Sequence, residues 1–433
     1  MYQPQVLARR SGFIRLVHVQ KPTDAATTKD TMTASGPTEV FRAFLKLGVT
    51  SFGGPTAHLG YFRDELVHRR GWVTDQQYGQ LVALCQFLPG PASSQVGFAL
   101  GLIRGGYLGA FAAWFAFTVP SAVLLVLFAM GAVALDGPVG QGLLMGLKAV
   151  AVAVVAHAVW GMAKTLTPDL RRIIIGLGAL ALALFVPGTA GHLLAIITGL
   201  VLGVLVCRQV VSTDQQPLSV RVSKRVGIGC AVVFGLLLAG LPLLVAATNN
   251  AWVAMTDAFY RAGALVFGGG HVVLPLLQGE SAITSSVTQD QFLAGYGAAQ
   301  AVPGPLFTFA AFLGFEMGDG ASAWISAAVA LVAIFVPGLL LLLAVLPFWN
   351  AVRNNTAVAA AMAGANAAVV GVLTAALITP IITSGITGIA PLIIALGCFV
   401  LLQFAKLPAW AVVLIGAVAG LLASVTGLGL TWG

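Results

Sequence analysis

From position 39 onward the chain is a succession of apolar stretches separated by brief polar, glycine or proline punctuation. Thirteen stretches can be marked off, at roughly 39–56, 77–103, 106–131, 139–162, 172–187, 191–208, 226–247, 251–271, 291–316, 321–347, 357–382, 389–404 and 408–428. Most approach or exceed about 20 residues, the length that carries an α-helix through bilayer hydrocarbon. The pattern predicts an all-α polytopic membrane protein of thirteen transmembrane segments. Residues 1–38 break the pattern. They are polar and basic, with Arg9, Arg10, Arg15, Lys21 and Lys29, and lack the apolar core of a signal peptide. A disordered cytoplasmic tail is expected there.

Composition agrees. Hydrophobic residues make up 58% of the chain and charged residues 8%, against about a quarter charged in soluble domains. The net charge of +8 does not point to nucleic acid, because the basic residues sit in short loops between apolar stretches. Cys85, Cys207, Cys230 and Cys398 are far apart and form no CxxC pair, so neither a disulfide framework nor a metal site is indicated.

The chain also repeats itself. FLKLGVTSFGG, Phe44 to Gly54, recurs as FYRAGALVFGG, Phe259 to Gly269, at an offset of 215. QFLPGP, Gln86 to Pro91, recurs as QAVPGP, Gln300 to Pro305. Farther on, Val119-Pro120 aligns with Val336-Pro337, Gly146 with Gly364 and Gly178 with Gly397. The organisation read from this is a tail (1–38), a first repeat (39–208), a linker with one connecting helix (209–253) and a second repeat (254–433). Stretch 7 has no partner. Equivalent stretches are therefore seven apart, an odd number, so the two repeats are expected to be inverted.

Loop charges fit a cytoplasmic N-terminus and an external C-terminus. Lys164, Arg171, Arg172, Arg208, Arg221, Lys224, Arg225, Arg104, Arg353 and Lys406 then fall inside. Arg63, Arg69 and Arg70 are the exception, falling outside unless the first, glycine-broken stretch re-enters rather than spans.

Candidate chemistry clusters at the breaks. In Pro89-Gly90-Pro91 and Pro303-Gly304-Pro305 the prolines cannot continue a helix. Broken backbone at membrane depth is tolerated only inside protein or beside a water-filled cavity. A half-helix restarting after each motif offers free amides, at Ala92, Ser93 and Ser94 and at Leu306, Phe307 and Thr308. That positive dipole end suits an anion. Ser94 and Thr308 add aligned hydroxyls. The bland alternative is a packing kink. Gly53-Gly54 and Gly268-Gly269 allow either close helix packing or an unusual backbone beside a ligand. Lys46 and Arg261 occupy equivalent intramembrane positions and are candidate anion contacts, with snorkelling of Lys46 and an Asp257–Arg261 pair as structural alternatives. Lys148 is a third candidate cation; its repeat partner is Asn366. Gln86 and Gln300 either donate to a substrate or cap freed carbonyls. His58 and His271 are candidate proton carriers, whereas His157 and His192 are expected to be structural. No nucleophile triad, His-Glu cluster or phosphate loop is present, so neither an enzyme nor a cofactor is expected.

FLKLGVTSFGGP (Phe44 to Pro55), WVTD (Trp72 to Asp75) and QFLPGP, with FGGGH (Phe267 to His271) and QAVPGP in the second copy, resemble the chromate ion transporter family in its long two-domain form. The resemblance covers about residues 39–430 and implies an inner-membrane exporter of chromate, coupled to protons and conferring chromate resistance. The acid-poor interior suits a tetrahedral oxyanion, which offers acceptors only. Sulfate has the same shape and charge and is the alternative substrate or a competitor; a passive anion channel is another alternative. Protons and the lipid bilayer are the other expected partners, and homo-oligomers are left open.

Overall fold

The structure, a computed structural model, describes residues 36–133, 137–186, 188–207, 222–352 and 355–426. The expected tail up to position 35, the linker at 208–221 with Arg208 and Arg221, Arg353 and positions 427–433 lie outside the described residues. The fold is all-helical, with no β-strand among the described residues. Among the described residues six helices are long and apolar enough to cross a membrane.

Apolar stretches 1, 2, 8 and 9 are each broken in two, at the glycine and Pro-Gly-Pro motifs where the sequence placed breaks. The first is α1 (Pro37–Thr50) followed by α2 (Gly54–Phe62), which runs on as a π-helical stretch, Arg63–Arg69. The second is α3 (Asp75–Phe87) followed, after Pro89-Gly90-Pro91, by the start of α4 (Ala92–Val133), itself interrupted at Gly105 and Gly106. In both, the second part folds back along the first rather than continuing its direction. The Phe44 and Phe62 rings lie 5.4 Å apart, and Lys46 Nζ donates to Glu65 Oε2 at 2.9 Å. Glu39 gathers Arg70 at 3.8 Å, Arg104 at 3.2 Å and Trp72 Nε1 at 3.3 Å. Both helical hairpins of the first repeat therefore begin and end at one place.

The remaining helices of this half are α5 (Pro138–Leu166), α6 (Leu170–Phe185) and α7 (Gly188–Val206), followed by the connecting α8 (Lys224–Thr248). The second repeat rebuilds the scheme. Its first hairpin is α9 (Ala251–Ala264) against α10 (Val273–Gln278) and α11 (Ser281–Thr284), joined by Arg261 and Glu280 at 2.8 Å. Its second is α12 (Gln289–Ala299) against α13 (Phe309–Glu316), entered through a 3-10 turn at Leu306–Thr308; Gln291 Nε2 donates to Glu316 at 2.7 Å across its base. Thr74 with Gln77 and Thr288 with Gln291 form the same reciprocal cap at the starts of α3 and α12. Each cap satisfies two free amides and fixes where the second hairpin begins. Then come α14 (Ala321–Val345), α15 (Trp349–Val352), α16 (Thr356–Ala376), α17 (Thr383–Gly385), α18 (Ile389–Gln403) and α19 (Ala409–Val425).

The halves exchange partners. Helix α5 packs on α19, where Gly146 meets Gly416. In the same way α16 packs on α7, where Gly364 meets Gly199. Small residues let these backbones approach closely, which is how helices associate without a hydrophobic drive between them. Such reciprocal contact is the signature of two-fold pairing, here within one chain. Helix α8 lies against α9 and α14 with its outer face uncovered. Ile228, Leu236 and Leu243 are exposed, and Tyr260 of α9 donates to the Phe234 carbonyl.

A Cβ at Gly364 would meet the Gly199 carbonyl and the Gly203 Cα, both backbone. Gly364→Leu is therefore expected to lose folded protein, overpacking of this kind costing about 1–3 kcal/mol or more. Gly229→Leu, on open surface of α8, is expected to behave as wild type. Size-exclusion profiles of the two variants in detergent check both.

Candidate functional site

A helix broken at Pro-Gly-Pro exposes backbone groups that must find partners elsewhere. Here each half supplies them to the other. The Gly90 amide donates to the Val266 carbonyl at 2.8 Å, and the Gly304 amide to the Ser51 carbonyl at 2.9 Å. Val266 and Ser51 are equivalent positions of the repeat, so the two bonds form a crossed pair. Gly90 and Gly304 have φ of 117° and 103°, a region open to glycine and strained for other residues. The in-helix prolines Pro120 and Pro337 stand beside this crossing. Gln95 Nε2 donates to the Gly338 carbonyl at 2.9 Å and to that of Pro89 at 3.0 Å. Ser121 and Thr308 share a hydroxyl bond of 2.7 Å, and Thr308 also bonds the Pro305 carbonyl. Four tips thus meet: Gly53-Gly54, Pro89-Gly90-Pro91, Gly268-Gly269 and Pro303-Gly304-Pro305. Gly53 and Gly268 remain exposed there.

The crossing is two-fold in backbone but not in side chains. After the first Pro-Gly-Pro come Ala92, Ser93, Ser94 and Gln95; after the second come Leu306, Phe307, Thr308 and Phe309. Ser51 is matched by Val266. Ser51 and Ser94 are 0% and 2% exposed and His58 1%. Ser51 Oγ, Ser94 Oγ and His58 Nε2 have no hydrogen-bond partner among the described residues. His58 Nδ1 lies 3.4 Å from Ser93 Oγ, tying α2 to the start of α4. On the second side Thr308 and His271 are satisfied, whereas Gln300 Nε2 is buried without a hydrogen-bond partner among the described residues. Both the amide and the hydroxyl of Thr308 are engaged by Pro305. His271 Nδ1 is 2.8 Å from the Tyr296 hydroxyl. Gln86 is exposed on α3.

The three candidate cations are each held by carboxylates. Lys46 pairs with Glu65, Lys148 with Asp290 at 2.9 Å, and Arg261 with both Asp257 and Glu280 at 2.8 Å. No described contact joins them to the tips. What the crossing offers an anion is neutral: hydroxyls, an imidazole and the first-turn amides of α2 and α4. Sequence reasoning missed Ser51, Gln95 and Ser121 as members of this cluster, and Glu65 and Glu280 as partners of the cations. The two glutamates were within reach, since they stand 215 apart, the offset of the repeat. Among the described residues no group of three or more His, Cys, Asp or Glu side chains is placed to hold a metal ion.

Apolar helices, two interlocked repeats and broken backbone at their crossing define a polytopic membrane protein of transporter build. The chromate transporter family matches residues 38–204 and 253–421, one match per repeat, and the chain belongs to that family. It is 28% identical over 360 residues to a chromate transport protein of Pseudomonas aeruginosa, covering 82% of this chain and 83% of that one. A chromate transport protein of Cupriavidus metallidurans is 27% identical over 419 residues, 94% of this chain and 98% of its own. A probable chromate transport protein of Synechococcus elongatus is 27% identical over 358 residues, 77% and 82% of the two chains. No solved structure matches.

Proposed function

We propose that the chain is a proton-coupled exporter of chromate across the inner membrane, binding the oxyanion at the crossing of the four tips and conferring chromate resistance. The observation that carries this is a set of buried polar atoms without hydrogen-bond partners among the described residues, Ser51 Oγ, Ser94 Oγ and His58 Nε2, beside the starts of α2 and α4. A tetrahedral dianion accepts from such groups at every oxygen, and helix N-termini add positive potential. Export of two negative charges from a negative interior is downhill by about 4–5 kcal/mol at 100 mV.

The hairpins support a topology of their own. If the four broken stretches re-enter, nine helices cross: the part of α4 after Gly106, then α5, α6, α7, α8, α14, α16, α18 and α19. Helix α8 inverts the second repeat, giving an internal N-terminus and an external C-terminus. Arg63, Arg69 and Arg70 then join Arg104 on the cytoplasmic side, and the exception to the loop-charge rule disappears.

The test is chromate uptake into inverted vesicles, with and without a pH gradient and with sulfate as competitor. Ser51→Ala and Ser94→Ala are each expected to raise the KM for chromate at unchanged protein level. A lost hydrogen bond to a charged group is worth about 1.5–3 kcal/mol, or about ten- to a hundredfold. Unchanged uptake by both variants would remove the oxyanion from this crossing.

A further inference from the structure

Glu65 and Glu280 are repeat partners with opposite surroundings. Glu65 accepts from Lys46 at 2.9 Å, Arg69 at 2.8 Å and Arg70 at 3.0 Å. Three cations on one carboxylate keep it ionised. Glu280 has one cation, Arg261, and shares it with Asp257; both acids lie 2.8 Å from the same guanidinium nitrogen. Glu280 and Asp257 are 4% and 5% exposed. The residue matching Asp257 in the first repeat is Arg42. The second repeat thus has an acid where the first has a base.

Two buried carboxylates and one part-buried guanidinium carry a net charge of −1. Other groups nearby do not correct it. Thr189 donates to the Gly279 carbonyl and also hydrogen-bonds the Glu280 side chain, without adding a charge, and His192 of α7 stands against Gly279. Helices α10, α11, α14 and α16 contain no charged residue, and Lys224 and Arg225 of α8 lie at its far end. An uncompensated charge in a low-dielectric interior is costly. Two carboxylates competing for one cation relieve it by holding a proton between them, as a coupled pair rather than as separate sites.

A cavity lies next to the elements that carry the pair, although neither acid lines it. Its volume is about 320 Å³, and it opens at the common base of the second repeat's hairpins, between Ala251, Ser285 and Gly318. Its wall includes Met255 and Ala282, each two residues from an acid of the pair, and Asp319 lines it as well.

We infer that Asp257, Arg261 and Glu280 form the proton-binding site of the transport cycle, leaving the oxyanion to the polar tips of the first repeat. This rests on the proton-coupled reading above. One O–H bond forms on loading, the cluster passes from −1 to neutral, and the proton leaves unchanged on unloading. His58 and His271 are then not needed as carriers.

Two measurements test the site. In proteoliposomes of the full chain, chromate flux is followed with a pH dye, and chromate–chromate exchange, which moves no net proton, is followed separately. Glu280→Gln and Asp257→Asn are each expected to keep exchange and lose chromate-linked proton movement; proton movement persisting in both variants overturns the site. If wild type carries chromate without moving protons, the coupled reading itself fails, and the site with it. The second measurement uses wild-type protein, so folding of a variant does not enter. A hydrophobic carbodiimide, which reacts with protonated carboxyls, is expected to label Asp257 or Glu280 at low pH, less as pH rises, and to spare Glu65. Labelling of Glu65 with neither acid of the pair overturns the site. Protection by sodium rather than by raised pH would make it a sodium site and overturn it equally.

Discussion

A Gly90→Val, Gly304→Val double variant is expected to carry no chromate and to melt well below wild type. Both positions lie in the left-handed region, at φ of 117° and 103°. An L residue there costs about 1–2 kcal/mol, and a β-branched one fits worst. Space is lacking as well. A Cβ at Gly90 would stand 3.0 Å from the Gly338 Cα and from Gln95 Nε2, and one at Gly304 3.0 Å from the Ser121 Cβ. Relief of either clash pulls an amide from its carbonyl in the opposite half. Two such losses take a large share of a typical stability of about 5–15 kcal/mol. Gly60→Ala, with ordinary backbone and open space, is the matched control. Thermal melts in detergent and vesicle transport read the two effects. Wild-type melting of the double variant would mean that the tips are loosely held.

Removal of Arg261 is expected to be the most damaging single charge change. Arg261→Gln leaves Asp257 and Glu280 buried, side by side and without their cation, a situation that costs about 3–5 kcal/mol. Adding Asp257→Asn is not expected to rescue it, because Glu280 stays unpaired. Rescue is expected only in the triple variant with Glu280→Gln, where the cluster is neutral. Folded yield by size-exclusion chromatography decides between these. Full rescue by the double variant would show that Glu280 does not depend on Arg261. Exchange transport in the folded triple variant then reports on the anion: if exchange returns, Arg261 is not an anion contact.

What could be read from the sequence follows from the range of the forces involved. Proline and glycine act on their own backbone, so the breaks at Pro89-Gly90-Pro91, Pro303-Gly304-Pro305 and the glycine pairs were visible. The direction taken after a break was not. An apolar run of about 20 residues has one hydropathy whether it crosses a bilayer or turns back halfway. The misplaced Arg63, Arg69 and Arg70 were the one local sign that α1 and α2 reverse. Partners such as Gln95 and Gly338, 243 residues apart, leave no local trace. Lys46 and Arg261 stood out because charge within an apolar run is rare. Their glutamates, each 19 residues on, needed the repeat offset to be carried past the motif. The side-chain asymmetry of the crossing was printed in ASSQ against LFTF, but gained meaning only once the backbone of the two tips was seen to be equivalent.

The crossed bonds also set a clock on biosynthesis. Ser51 leaves the ribosome about 250 residues ahead of Gly304, an interval of about 10–50 s at ordinary elongation rates of about 5–20 residues per second. Through that interval the first repeat sits in the bilayer with its broken tips unmated, and neither half can finish assembling before the other arrives. The newborn chain needs shelter for polar backbone at membrane depth, whether from lipid-buried water or from the insertion machinery, until its second half closes the knot of tips.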